Sequence, residues 1–450
     1  MSACRRIELP PRYATPSLRL ILVLEMAFAG AYLALTRNLL VIYLTSMGFG
    51  VGEISIVTVI ATAISSLSSV MLWKFPNFLT RGVKAKFLLF HALERIFWIP
   101  MVLTRDLLSI AIFYAVIGTS TTMISAFMNL LIYSSFDEAG VRDVTAKRTI
   151  AGNLMTTIGS AAAITMLATL PKDVKFPVIF VVGSLLGLLS TFALSTADMR
   201  HLEGFEVPGK VKRPEQMFTV SSFLLAMLTS SNLLGIVWTP YLMVVLGAPD
   251  YLAATMNFVS TIFGILGSLF WARRSLRSFR IALGGVTLVP IAAFITPAPA
   301  AHLGISAFGT FMFTGASFLG NFLFARYLRE FGAVRSSIIL SALTNFSQLL
   351  ATPFGILLSQ NYMLLFASVI SIRLLSVILA FLAVPEVAAV PEDVARTYSQ
   401  LIYTNSLMGY ALIQETSREI VALTIRLLAL AAVLTLLYVI YRLVFLLAGL

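Results

Sequence analysis

Twelve stretches of this chain are apolar over a length that can cross a bilayer. They fall at about 18–45, 53–73, 86–104, 106–133, 148–169, 174–197, 218–246, 251–271, 280–297, 303–328, 336–358 and 361–384, and a thirteenth lies near 420–447. A helix needs roughly 20 mostly apolar residues to span the hydrocarbon core. Of the 450 residues, 59% are hydrophobic and 12% charged, about half the charged share of an ordinary soluble domain. Such a chain cannot cover a water-facing surface of its size with charge. A soluble enzyme, a disordered chain and a disulfide scaffold are therefore excluded. The first run is interrupted by Arg37 and is too long for a cleaved signal peptide.

The net charge of +12 would suggest nucleic acid or anionic lipid only if the charge gathered on one face. With a cytoplasmic N-terminus and alternating spans, 24 of the 32 Lys and Arg fall in cytoplasmic segments. Only Arg105, Lys172 and Lys175 lie outside, and Arg37, Arg95, Arg373, Arg426 and Arg442 lie within spans. The net charges are then +10 inside, −1 outside and +3 within the membrane. This is the positive-inside pattern. It assigns most of the excess to orientation and to an anionic cytoplasmic leaflet, and it removes the support for nucleic-acid binding. The expected location is the cell (plasma) membrane, with the C-terminus outside because the span count is odd.

The longest hydrophilic stretch before the last span, 198–216, separates six spans from six. The expected organisation is a cytoplasmic N-terminal segment (1–17), a six-helix bundle (18–197), a cytoplasmic linker (198–216) and a second six-helix bundle (217–384). An interfacial amphipathic segment (385–417) and an additional transmembrane helix (418–450) follow. Pro391 with Glu392 and Asp393 makes a helix start in the penultimate segment, since acids suit the positive end of the dipole. A repeat supports the two halves: Tyr43-Leu44, Gly48 and Trp73 recur as Tyr241-Leu242, Gly247 and Trp271, at an offset of about 198 residues.

Two six-span halves, short outer loops and a basic inner face resemble the major facilitator superfamily of secondary transporters. The loop after the second span carries Leu79-Thr80-Arg81-Gly82-Val83-Lys84, which keeps the later Gly and a basic residue of that family's motif. Phe75 and Leu79 stand where the first Gly and the Asp would be. The resemblance implies an all-α polytopic membrane protein of two six-helix bundles, here with one extra C-terminal helix. It further implies alternating access around a midplane site, with spans one, four, seven and ten lining the cavity.

Ionisable residues inside spans are costly and usually functional. Glu25 and Arg37 share span one but stand 12 residues apart, roughly 18 Å along a helix, so they cannot pair. Glu25 should match the depth of Glu94 and Arg95 on span three, which makes a Glu25–Arg95 or Glu94–Arg interaction between helices the expectation. Either carboxylate could instead carry a coupling proton, because a buried carboxyl can alternate its protonation with conformation. His91, Arg95 and Arg373 are candidates for charge pairing or structure. Arg37 has no acid of matching depth, which makes it the candidate partner of an anionic cargo; a guanidinium suits carboxylate, phosphate or sulfate.

Amides can orient a polar solute without fixing its charge. Asn129, Asn232, Asn321, Asn345 and Gln348 are therefore substrate candidates, as are Tyr32, Trp238 and Tyr241 for an aromatic or amphipathic ligand. Each also reads as interhelical glue or packing. No phosphate-binding glycine loop, metal-binding His pair or hydrolytic carboxylate pair occurs, so no cofactor, no metal and no enzymatic activity are expected. The leading expectation is a secondary transporter of a small organic solute, anionic or amphipathic, with proton coupling left open. The rivals are a lipid or lipid-linked-sugar flippase and a non-transporting scaffold or receptor.

Overall fold

The structure is a computed structural model that describes residues 16–204 and 215–405; a few side chains within these ranges, including Glu138, Arg142 and most of 321–337, lie outside the description. All twelve apolar stretches before the linker to the last span are helical. In the first half these are α1 (Pro16–Leu35), α2 (Leu40–Ser46), α3 (Val51–Lys74), α4 (Val83–Ile96), α5 (Trp98–Leu103), α6 (Leu107–Ser135), α7 (Glu138–Thr169) and α8 (Lys175–Ser195). In the second they are α9 (Glu215–Pro240), α10 (Asp250–Trp271), α11 (Phe279–Ile295), α12 (Ala301–Leu357) and α13 (Tyr362–Ala383). Large apolar side chains such as Leu67, Leu103, Phe192, Leu269 and Ile281 stay exposed on the perimeter. In a chain of this composition that perimeter is the lipid-facing surface, and the protein is an integral membrane protein.

Three departures from straight spans have local causes. Span one breaks at Thr36, whose hydroxyl donates to the Tyr32 carbonyl at 2.7 Å, and the chain passes through a 3-10 turn at Arg37–Leu39 before α2. Span three breaks at Phe97 between α4 and α5. There Pro100 lacks the N–H that would bond Ile96, and its ring crowds that carbonyl. Spans ten and eleven, expected as separate segments, form one helical element, α12. The stretch Arg326 to Ser336 has no proline and is rich in helix formers, so nothing local ends the helix. The N-terminal part of α12 packs on α10 and α11, as in the Ser260–Ser306 contact at 2.6 Å. Its C-terminal part packs on α3 and α6, with Ser341 donating to Ser125 at 3.2 Å.

The sequence repeat has a structural counterpart. At the end of span one, Tyr43 donates to the Val102 carbonyl of span three at 3.2 Å. At the end of span seven, Tyr241 donates to the Phe294 carbonyl of span nine at 3.0 Å. Gly48 (φ 91°) and Gly247 (φ 67°) then turn the chain in the left-handed region, where glycine carries no steric cost. The inner ends repeat as well. The Glu203 carboxylate accepts from the amides of Gly82 and Val83 at 2.9 and 2.7 Å, tying the end of the first half to the start of α4. One repeat offset later, Arg280 at the start of α11 donates to the carbonyls of Val387 and Ala388 beyond α13. The acid missing from the loop motif is thus replaced at this loop by Glu203, which sits on the N-terminus of a helix, where anions are favoured.

The two halves share one apolar cluster at one end of the bundle, containing Tyr43, Trp98, Phe180, Tyr241 and Phe366. At the other end each half has its own cluster, around Phe87 and Phe127 in the first and Phe223 and Phe279 in the second. Within the first half α1 and α7 approach closely: a Cβ on Gly30 would overlap the Gly152 carbonyl. Small residues allow such contact between membrane helices.

A helix over 392–405 follows the second half. It docks on the N-terminal end of α9 through Ser399 and Thr219 at 2.7 Å and through Tyr403 and Phe218, ring centroids 5.9 Å apart. Tyr398 and Leu401 remain exposed on it. The linker core 205–214, the rest of the interfacial segment and the thirteenth span lie outside the described residues.

Candidate functional site

The helices leave two cavities, one lined by Arg37 and the other by Asn38 of the turn after α1. A lobe of 150 Å³ is lined by Arg37, by Thr62 and Ser65 of α3, by Thr121 and Thr122 of α6, and by Asn345 and Gln348 of α12. A lobe of 260 Å³ is lined by Asn38, by Ser231 and Trp238 of α9, by Asn257 and Ser260 of α10, and by Arg373 of α13. Consecutive residues, Arg37 and Asn38, therefore face different lobes. Ligand pockets usually start at roughly 300 Å³, so the lobes together suit a small solute. Among the described residues, neither lobe is lined by Asp, Glu or Lys.

Arg37 is half-buried and has no hydrogen bond or ion pair among the described residues. Its position follows from the broken helix: the 3-10 turn at Arg37–Leu39 redirects the side chain that an unbroken α1 would carry. Asn345 crosses between the halves, donating to Thr122 at 3.0 Å and to Ser69 at 3.1 Å. Asn257 donates to the Asn38 carbonyl at 2.7 Å, again across the halves. Asn232 bonds Ser347 at 2.9 Å and lines neither lobe. Trp238 donates to His302 at 2.8 Å and still presents its ring to the larger lobe.

The carboxylates of the first half are engaged. Glu25, 3% exposed, accepts from Arg148 of α7 at 2.8 Å and lies 3.4 Å from His91. His91 in turn contacts the Thr191 hydroxyl at 2.7 Å. The expected Glu25–Arg95 contact is therefore corrected: Arg95 pairs with its own neighbour Glu94, which leaves Glu25 to Arg148. The reason is depth and direction. The approach of α1 and α7 at Gly30 and Gly152 brings residues 25 and 148 to the same level. Arg148 was missed because it is the first residue of its apolar run and counts with the preceding loop. Thr121, on the wall of the smaller lobe, donates to Glu94 at 3.4 Å, so the Glu94–Arg95 pair is one hydroxyl away from the cavity.

Tyr32 is fully buried beneath Trp98 and the Arg95 guanidinium and lines neither lobe. Tyr241 is buried in an aromatic group with Phe294, Tyr362 and Phe366. Asn129, on the inner part of α6, also lines neither lobe. The side chain of Asn321 lies outside the described residues.

A third cavity, of 780 Å³, opens at the helix ends beside Tyr43, Phe176 and Met243. Arg105, Lys172 and Lys175, the three Lys and Arg expected in outer segments, line it together with Asp173 and Asp250. Lys175 of α8 and Asp250 of α10 form an ion pair across the two halves. Beside this mouth, Asp106 caps α6 by accepting from the Ser109 amide at 2.8 Å, which holds its carboxyl below the ordinary range.

No protein-family model and no curated protein sequence matches the chain. Solved structures do. A mutant of the nucleoside transporter NupG superposes with a TM-score of 0.60 at 12% identity, covering 80% of this chain and 97% of that one. A bacterial homologue of the iron transporter ferroportin, in an inward-facing state, gives 0.60 at 16% identity over 81% and 96%. A bacterial homologue of the human lysosomal transporter Spinster, inward-facing and occupied, gives 0.56 at 15% identity over 81% and 94%. The chain therefore has the major facilitator type of fold. At these identities the likeness extends to the fold alone.

Proposed function

We propose that this protein is a secondary transporter that moves a small organic anion by alternating access around the two-lobed cavity. The carrying observation is Arg37, a guanidinium inside the membrane that lines a cavity and has no partner among the described residues. A charge so placed is costly, and a bound carboxylate, phosphate or sulfate would neutralise it through short, charge-assisted hydrogen bonds. The amides and hydroxyls around it supply orientation. Fold alone does not fix cargo: the similar structures are named as transporters of nucleosides, of iron and of metal. Two lining arginines without a lining carboxylate disfavour a metal cation here.

Binding of candidate solutes to the purified protein, followed by thermal unfolding, tests the reading. Anionic solutes should stabilise the parent protein, and Arg37→Ala should weaken them by roughly ten- to a hundredfold. Stabilisation by neutral or cationic solutes alone, indifferent to Arg37→Ala, would refute it. A coupled proton is favoured by one contact, that of lobe-lining Thr121 with Glu94. In proteoliposomes loaded with an anion identified in this way, Glu94→Gln should then uncouple uptake from an imposed pH gradient, while equal coupling in parent and variant would remove Glu94 as the carrier.

A further inference from the structure

The larger lobe holds a second guanidinium whose surroundings are unusual. Arg373, 3% exposed, donates through Nε to Ser230 at 3.1 Å, through Nη2 to Ser231 at 2.8 Å and through Nη1 to the Val286 carbonyl at 3.1 Å. All three acceptors are neutral. A guanidinium has five N–H groups, so two remain, one on each terminal nitrogen, and the side chain borders the 260 Å³ lobe. An amide side chain could tie α9, α11 and α13 together through neutral bonds without placing a charge in the membrane. The charge itself, with no carboxylate lining the lobe, is what a purely structural role leaves unexplained.

We infer that the cargo carries two separated anionic groups, one met by Arg37 in the smaller lobe and the other by Arg373 in the larger. This rests on the reading of the cavity as an anion site. The placement of the lobes supports it: Arg37 and Asn38 are consecutive and line different lobes, so the two cavities adjoin one turn, and a cargo long enough to pass that turn would place an end in each. Arg37 belongs to the first half and Arg373 to the second. A dianion therefore touches both halves at once, which is what a cargo must do to make the rocking of the halves depend on its presence. Ser260, Asn257 and Trp238 would line the connecting part of such a molecule. The chemical class is a dicarboxylate or a carboxylate–phosphate, in contrast to a monoanion.

The test is a series of α,ω-dicarboxylates of increasing chain length, each set against the monocarboxylate of equal length. Affinity for the full-length purified protein is read by thermal shift and competition. The parent should bind the best dicarboxylate at least about tenfold more tightly than its monocarboxylate partner. Arg373→Gln should bring that ratio close to one, the dicarboxylate losing more affinity than the monocarboxylate of equal length, which loss of a structural bond alone would not do. Because Arg373→Gln could fail to fold, Ser231→Asp provides a second route: it sets a carboxylate against Nη2 with the arginine retained. It should also abolish the dianion preference. Equal affinity for both series in the parent, or an unchanged ratio in Ser231→Asp, would overturn the inference and leave the Arg37 reading standing. Binding of neither series, with Arg37→Ala indistinguishable from the parent, would bring down the anion-site reading itself.

Discussion

Removing Arg148 should harm the protein more than removing Glu25, although the two form one ion pair. The Glu25 carboxylate is 3% exposed and the Arg148 side chain 13% exposed. Arg148→Met strands a buried carboxylate, and breaking a buried pair from one side costs about 3–5 kcal/mol. His91, 3.4 Å from the same carboxylate, offers partial compensation, which places the expected loss near the lower end. Glu25→Gln keeps an acceptor for the guanidinium, which can also lean towards water along its apolar stem, so the loss should be only about 1–2 kcal/mol. For a bundle the size of α1–α8, about 3 kcal/mol corresponds to a fall of roughly 6–12 °C in unfolding midpoint. The double variant should be more stable than Arg148→Met alone, because no charge is then stranded. Thermal unfolding of the four proteins in detergent reads these differences directly. Additivity of the two single effects to within about 0.5 kcal/mol would mean that the groups do not interact. The pairing argument would then fail, and the proton role for Glu25 would regain its ground.

The outer ion pair between Lys175 and Asp250 joins the two halves, so Lys175→Asp should favour the conformation open to the outside, read as faster labelling of a cysteine introduced at Ser46. The exchanged pair Lys175→Asp with Asp250→Lys should restore the parent rate, and equal labelling in all three would show that the contact does not hold the halves. His201 bonds the Ser135 hydroxyl at 2.8 Å, and burial pushes its imidazole below the ordinary 6.5, with Asp198 opposing. The unfolded chain then binds more protons just below pH 6.5, so stability should decline as pH falls through that window and down to the folded value. His201→Gln should flatten this part of the pH profile of the unfolding midpoint, and an unchanged profile would refute the assignment.

The architecture was readable in the sequence because the membrane imposes it. Span length, charge asymmetry and the offset of the repeat each follow from one-dimensional patterns. The hydrogen bonds of Tyr43 and Tyr241 show that the repeated residues do equivalent jobs at the ends of spans one and seven. What hydropathy cannot register is a break that keeps its apolar character. Phe97 interrupts span three without a polar residue, and α12 joins two predicted spans because Arg326 to Ser336 is polar yet helix-forming. The replacement of the missing loop acid by Glu203 was also invisible, since the two segments are more than a hundred residues apart and meet only in the fold.

The candidate site shows where counting charges stops being enough. Sequence gives a net +3 within the spans, but the figure does not say which charges are spent on one another. In the structure Glu94 is satisfied by Arg95, and Glu25 draws Arg148 in from the boundary. Arg426 and Arg442 fall outside the described residues. The acids within the spans are thereby used up, and the remaining described arginines, Arg37 and Arg373, both border the midplane lobes. Arg37 was legible because span one holds no acid at its depth. Arg373 read as structural because spans seven to twelve hold no acid to pair with it, and the serine and carbonyl partners it has in the structure leave no trace in a charge count. Among the described residues, the span arginines without an acidic partner thus both line cavities, where on the proposed reading a cargo would balance them. A positively charged cargo would have to enter against both guanidinium groups, whereas an anion would complete them. The sign of the cavity is therefore set by which pairs form elsewhere in the bundle.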